Sequence, residues 1–125
     1  MKIKDVMNKA VAIDQNISLK EAAKIMSDKN IGSLIAVKNG KVFGILTEHD
    51  VVSNISGLDK KVSSIMAKKV TTIDSNKDIN EAAIIMAENK IKRLPVLAEG
   101  DLVGVITVTD IIAHSKDLDD EFIFE

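Results

Sequence analysis

The chain has 125 residues, 46% hydrophobic and 29% charged, a composition that supports one compact globular module and excludes disorder. Lys+Arg 17 against Asp+Glu 19 leaves a net charge of -2, so no overall basic field gathers nucleic acid or an anionic membrane. With no cysteine, only His49 and His114, and three Phe without Tyr or Trp, the chain lacks disulfides, thiol nucleophiles, thiolate or three-histidine metal sites and aromatic stacking platforms.

The first residues, Met1-Lys2-Ile3-Lys4-Asp5, are charged and lead into nothing resembling a signal peptide. No run approaches the roughly 18 apolar residues of a membrane helix, so the reading is a cytoplasmic protein without membrane contact. Ser18-Leu19-Lys20-Glu21 has the form of a capping box that opens a helix. Leu19, Ala22, Ala23 and Met26 follow at i, i+3, i+4 and i+7, one apolar face. Ser33 to Val37 and Val42 to Leu46 are β-rich runs around Lys38-Asn39-Gly40-Lys41, the pattern of a hairpin. Thr47-x-x-Asp50 then opens a second helix at Val51-Val52.

The same series returns 60 positions later. Residues 13–52 laid on 73–112 are identical at 14 of 40 positions, with glycines, acids and apolar residues in step. Asp78 to Glu81 repeats the helix start, and Leu94 to Leu97 and Leu102 to Ile106 repeat the hairpin around Ala98-Glu99-Gly100-Asp101. Thr107-x-x-Asp110 repeats the second helix start before Ile111-Ile112. Upstream, Ile3 to Met7 matches Val62 to Met66. The expected fold is α/β (α+β): two strand–helix–strand–strand–helix units packed about a pseudo-two-fold axis. Repeat one spans 1–56, a linker 57–61 and repeat two 62–115. A tail over 116–125 is acidic but carries Phe122, Ile123 and Phe124, either a frayed end or an apolar clip for a partner subunit.

Two units ending in Gly-aliphatic-aliphatic-Thr-x-x-Asp, the second preceded by Arg93-Leu94-Pro95-Val96, resemble the paired CBS domain, or Bateman module. The resemblance covers Ile3 to about His114. It implies a regulatory module, with no catalytic residue, metal or cofactor. Its ligand is an adenosine-containing molecule (AMP, ADP, ATP or S-adenosylmethionine) in the cleft between repeats, and a separate effector protein receives the signal. A ligand-free dimerisation scaffold is the competing reading; nucleic acid is an unlikely partner.

Thr-x-x-Asp by itself reads first as a cap, but its duplication at matched positions and the resemblance carry Thr47, Asp50, Thr107 and Asp110 over as ribose and phosphate contacts. Lys92 and Arg93, which replace Gly32 and Ser33 of repeat one, are phosphate contacts by resemblance and a solvated strand end by default. In the family each Thr/Asp pair faces the other repeat's pre-strand residues. The Asp50 site is therefore expected to gain the basic pair and to bind phosphate better than the Asp110 site, which gains Ser33. His49 is a phosphate contact below about pH 6.5 or an exposed helix-start residue. Repeat two has Val108-Thr109 at this point, which puts an equivalent second site in doubt. Pro95, Thr72 and Thr109 complete the candidate set, and backbone groups near Met7 to Ala12 and Lys69 to Thr72 are expected to line the adenine pocket. Ile84 replaces Lys24 and widens an apolar helix face, either core or the interface of a homodimer, the latter preferred.

Overall fold

A computed structural model describes residues 1–114; the tail, with Phe122 and Phe124, lies outside the described residues. The elements run in chain order β1 (Ala12–Ile13), α1 (Leu19–Lys29), β2 (Ser33–Lys38), β3 (Lys41–Thr47) and α2 (Glu48–Ser53). Then come β4 (Ile73–Asp74), α3 (Ile79–Asn89), β5 (Arg93–Ala98), β6 (Asp101–Thr107) and α4 (Val108–Ala113). The fold is α+β, with sheets of order β1-β2-β3 and β4-β5-β6. Short 3-10 turns occupy Ile3–Asp5, Ile55–Gly57 and Val62–Ser64.

Local chemistry accounts for the ends of these elements. Ser18 Oγ accepts the Glu21 N–H at 3.1 Å to start α1, and Asn30 ends it in the left-handed region at φ 53°. In α3 the cap differs: Asp78 accepts from Asn80, one residue earlier, and a lysine, Lys90, takes the left-handed stop at φ 54°. The first hairpin turns through Asn39 (φ 53°) and Gly40 (φ 79°), both positive as a primed two-residue turn requires. In β2–β3 the register slips between Ala36 and Val37, leaving Phe43 as the extra, exposed residue of a bulge.

The chain forms two compact units, and each draws in a segment from the far side of the repeat boundary. One unit contains Ala10–Val70 with Gly100–Leu102. Its core gathers Leu19, Ala22, Met26, Leu34 and Leu46 together with Val62 and Met66, which follow the linker. Backbone bonds from Val62 N–H to Ile17 O (2.9 Å) and Leu19 N–H to Lys60 O (2.8 Å) seat that segment. The other unit contains Met1–Lys9, Thr71–Glu99 and the chain from Val103 onward. Here Ile3 and Val6 join Ile79, Met86, Leu94 and Ile106, and Ile3 N–H bonds Lys77 O at 2.9 Å.

Each inserted segment ends as a one-residue strand beside the last strand of its sheet. Ala67 exchanges two backbone bonds with Ile45 (both 3.0 Å), and Asn8 does so with Val105 (2.8 and 2.9 Å). This approach explains the buried glycines that open the Gly-x-x-Thr motifs. A Cβ on Gly44 would lie 2.5 Å from Met66 Sδ; on Gly104 it would lie 2.6 Å from Met7 Sδ and 2.8 Å from the Asn8 carbonyl oxygen.

Candidate functional site

Within the first unit, β3 delivers Thr47 to the start of α2. Thr47 Oγ1 accepts the Asp50 N–H (3.4 Å), and Asp50 Oδ2 accepts both the Thr47 N–H (2.9 Å) and the Thr47 hydroxyl (3.2 Å). This is a reciprocal capping box, half-buried. Ser33 is the cross-strand partner of Thr47, and the Glu48 N–H bonds the Gly32 carbonyl at 3.1 Å, so 32–33 and 47–50 form one cluster. His49 is exposed, with Nε2 3.3 Å from Ser53 Oγ one turn on.

The second unit repeats the box at Thr107 and Asp110, with corresponding distances of 3.2, 2.8 and 2.9 Å. The Val108 N–H bonds the Lys92 carbonyl at 2.9 Å, which sets exposed Lys92 and half-buried Arg93 beside this cap. Thr109 is exposed on α4 and Thr72 half-buried just before β4. Pro95 is fully buried in the central strand β5. The matched residue of repeat one, Ile35, donates its N–H to the Val11 carbonyl at 3.0 Å; Pro95 has no N–H, so repeat two lacks that tie.

Residue 8 falls in the Met7 to Ala12 stretch expected near the adenine pocket, but its side-chain bond to Asp110 escapes sequence reasoning. Asn8 Nδ2 donates to both carboxylate oxygens of Asp110, at 2.7 Å each. Its counterpart on the inserted segment beside β3 is Ala67, paired with Ile45; the Ala67 side chain donates nothing. The alignment of Met7 with Met66 contained the clue, but nothing in a chain of letters ties residue 8 to residue 110.

Among the described residues no group of His, Asp and Glu is arranged to hold a metal ion, and no helix is long and apolar enough to cross a membrane. Two grooves lie elsewhere, one of mixed character between α1 and α2 around Ala23, Met26, Asn30 and Glu48, the other apolar between α3 and α4 around Ala83, Met86 and Ile111. Ile84 is 57% exposed, so the wide apolar stripe of α3 does not all enter the core.

The CBS domain family matches the sequence twice, over residues 3–57 and 62–117. The chain belongs to the CBS domain family. An uncharacterized protein of Methanocaldococcus jannaschii is 38% identical over 114 residues, which cover 90% of this chain and 38% of the relative. The CBS domain-containing protein YhcV of Bacillus subtilis is 31% identical over 117 residues, 90% of this chain and 84% of YhcV. Thus the chain spans well under half the length of the first relative and most of the second. Among solved structures, the CBS domain pair of protein MJ0100 superposes with a TM-score of 0.87 at 30% identity, over 94% of this chain and 98% of that one. That pair was solved in complex with 5'-methylthioadenosine and S-adenosyl-L-methionine.

Proposed function

We propose that this CBS pair is a regulatory module that binds an adenosine-containing small molecule and reports its level to a separate effector protein, without catalysing a reaction. The observation that carries the reading is the state of the Asp50 carboxylate. Its Oδ2 closes the capping box, while Oδ1 accepts no hydrogen bond among the described residues. A carboxylate offers about four acceptor positions, so Oδ1 has room for both hydroxyls of a ribose diol. The likeness to a CBS pair crystallised with two adenosine derivatives supports the same ligand class here. Arg93 and Lys92, which lie beside the Asp110 cap in their own unit and which the family resemblance pairs with Asp50, supply the phosphate contact where the ligand is a nucleotide, since guanidinium geometry matches phosphate oxygens.

The test is calorimetric unfolding with and without AMP, ADP, ATP, S-adenosylmethionine, 5'-methylthioadenosine and NADH, because the chain lacks Trp and Tyr as reporters. A ligand at 100 times Kd raises stability by about 2.7 kcal/mol, a shift of several degrees. Asp50→Ala is expected to weaken binding by about 10- to 150-fold, the range for a hydrogen bond to a charged group. Arg93→Ala is expected to weaken AMP, ADP and ATP more than the phosphate-free 5'-methylthioadenosine. No shift with any ligand would overturn the reading.

The second reading, a ligand-free scaffold, is favoured by one observation: both Thr–Asp pairs already serve as helix caps. Asp50→Ala separates the two, since a pure cap costs stability but has no ligand response to lose.

A further inference from the structure

We propose that Asn8 is the residue that makes the two repeats unequal, because its amide occupies the Asp110 carboxylate and denies that carboxylate to a ribose diol. The inference rests on the reading that Asp50 and its repeat-two counterpart recognise the diol of an adenosine ligand.

Donor bookkeeping at the two aspartates is the reason. Asp50 receives the Thr47 N–H and hydroxyl on Oδ2 and nothing further among the described residues. Asp110 receives the same two from Thr107 on Oδ2, and then Asn8 Nδ2 on both oxygens. Three donors converge on Asp110 Oδ2, which is more than its two lone pairs accommodate well, and Oδ1 keeps one position where a diol needs two. A ribose reaching Asp110 must displace the amide.

The backbone that carries the amide is anchored, while the side chain itself is exposed. Asn8 is fixed through its backbone by the two bonds to Val105 (2.8 and 2.9 Å), so the side chain starts from an anchored Cα two residues past the buried Val6. Gly104 permits that anchoring, because its missing Cβ leaves room for the Asn8 carbonyl. Repeat one has the same backbone strap at Ala67, bonded to Ile45, but with a methyl group where Asn8 carries an amide. The strap is common to both repeats; the latch belongs to one.

The consequence is stoichiometric. Wild type takes one adenosine ligand per chain, through Asp50, and Asn8→Ala takes a second through Asp110. Alanine is already tolerated on the matching strap, and the backbone bonds of residue 8 do not involve its side chain. The reciprocal variant, Ala67→Asn, places an amide on the Asp50 side and is expected to weaken wild-type binding on the order of tenfold, the value of one modest hydrogen bond.

Isothermal titration with AMP and with S-adenosylmethionine tests this on wild type, Asn8→Ala, Asn8→Ala/Asp110→Ala and Ala67→Asn. The expected result is one site in wild type, two in Asn8→Ala, and one again in the double variant. Two sites in wild type, or a single Asp50-dependent site unchanged by both Asn8→Ala and Ala67→Asn, would overturn the role of Asn8 and leave the ligand-binding reading intact. No binding of either ligand to wild type or Asn8→Ala would remove both.

Discussion

Single residues in this protein serve backbone geometry and ligand chemistry at once, and their substitutions separate the two. Gly44 and Gly104 are buried where a strap crosses the last strand, and each lies against a methionine sulfur. At Gly104 the nearest atoms include a backbone one, the Asn8 carbonyl oxygen at 2.8 Å, which cannot rotate away, whereas at Gly44 the nearest are all Met66 side-chain atoms. Gly104→Ala is therefore expected to cost more than Gly44→Ala, within the roughly 1–3 kcal/mol typical of overpacking, as measured by denaturant unfolding. Lys90 holds a left-handed helix stop that its counterpart Asn30 fills with a better-suited side chain. Lys90→Gly should raise stability by on the order of 1 kcal/mol. At Asp78 the Asn80 N–H, followed by the Met1 ammonium, holds the carboxyl below the usual carboxylate range. A depressed folded pKa gives stability present above the unfolded value and lost as pH falls through the folded one. Asp78→Asn is accordingly expected to be less stable than wild type at neutral pH, with the difference vanishing in acid.

At the scale of elements, two of the three 3-10 segments, Ile3–Asp5 and Val62–Ser64, are core components rather than connectors. Ile3 and Val62 are fully buried, each in the cluster of the other repeat's helix and strands. Ile3→Ala should destabilise by about 2–5 kcal/mol, the range for emptying a buried aliphatic site. The loss should appear first in hydrogen exchange of β5 and β6, with β2 and β3 protected longer. The helices were legible from spacing: Leu19, Ala22 and Met26 are buried on α1 as Ile79, Ala82 and Met86 are on α3. The caps were legible too, since Thr-x-x-Asp is a local motif whose partners lie three residues apart. β1 and β4 are two residues each and paired in parallel with β2 and β5. No periodicity marks a strand that short, because alternation needs several residues to register.

At the scale of the whole molecule, one unit is nearly continuous in sequence while the other joins Met1–Lys9 to residues beyond Thr71. Closing the second requires bringing together segments separated by some sixty residues, whose loop entropy must be overcome before any contact compensates it. Pulse-labelled hydrogen exchange during refolding should show protection at Ile45 before Val105. Self-association belongs to this scale as well. Exposed Ile112 lines the apolar α3–α4 groove and exposed Val52 the α1–α2 groove, and Ile84 is exposed on α3. If these faces pair in a homodimer, Ile84→Glu is expected to give a monomer by sedimentation equilibrium at unchanged helix content.

Duplication, the helix faces, the hairpins and the candidate Thr–Asp pairs all follow from the order of residues, because each depends on partners a few positions apart or on a repeat that compares like with like. Which 3-10 segment completes which core, why two glycines are needed where no positive φ demands them, and why one aspartate is latched by Asn8 while its twin is not were decided by tertiary structure. Each of those depends on groups about 20 to 100 residues apart meeting within a few ångströms, a relation that exists only once the chain has closed on itself.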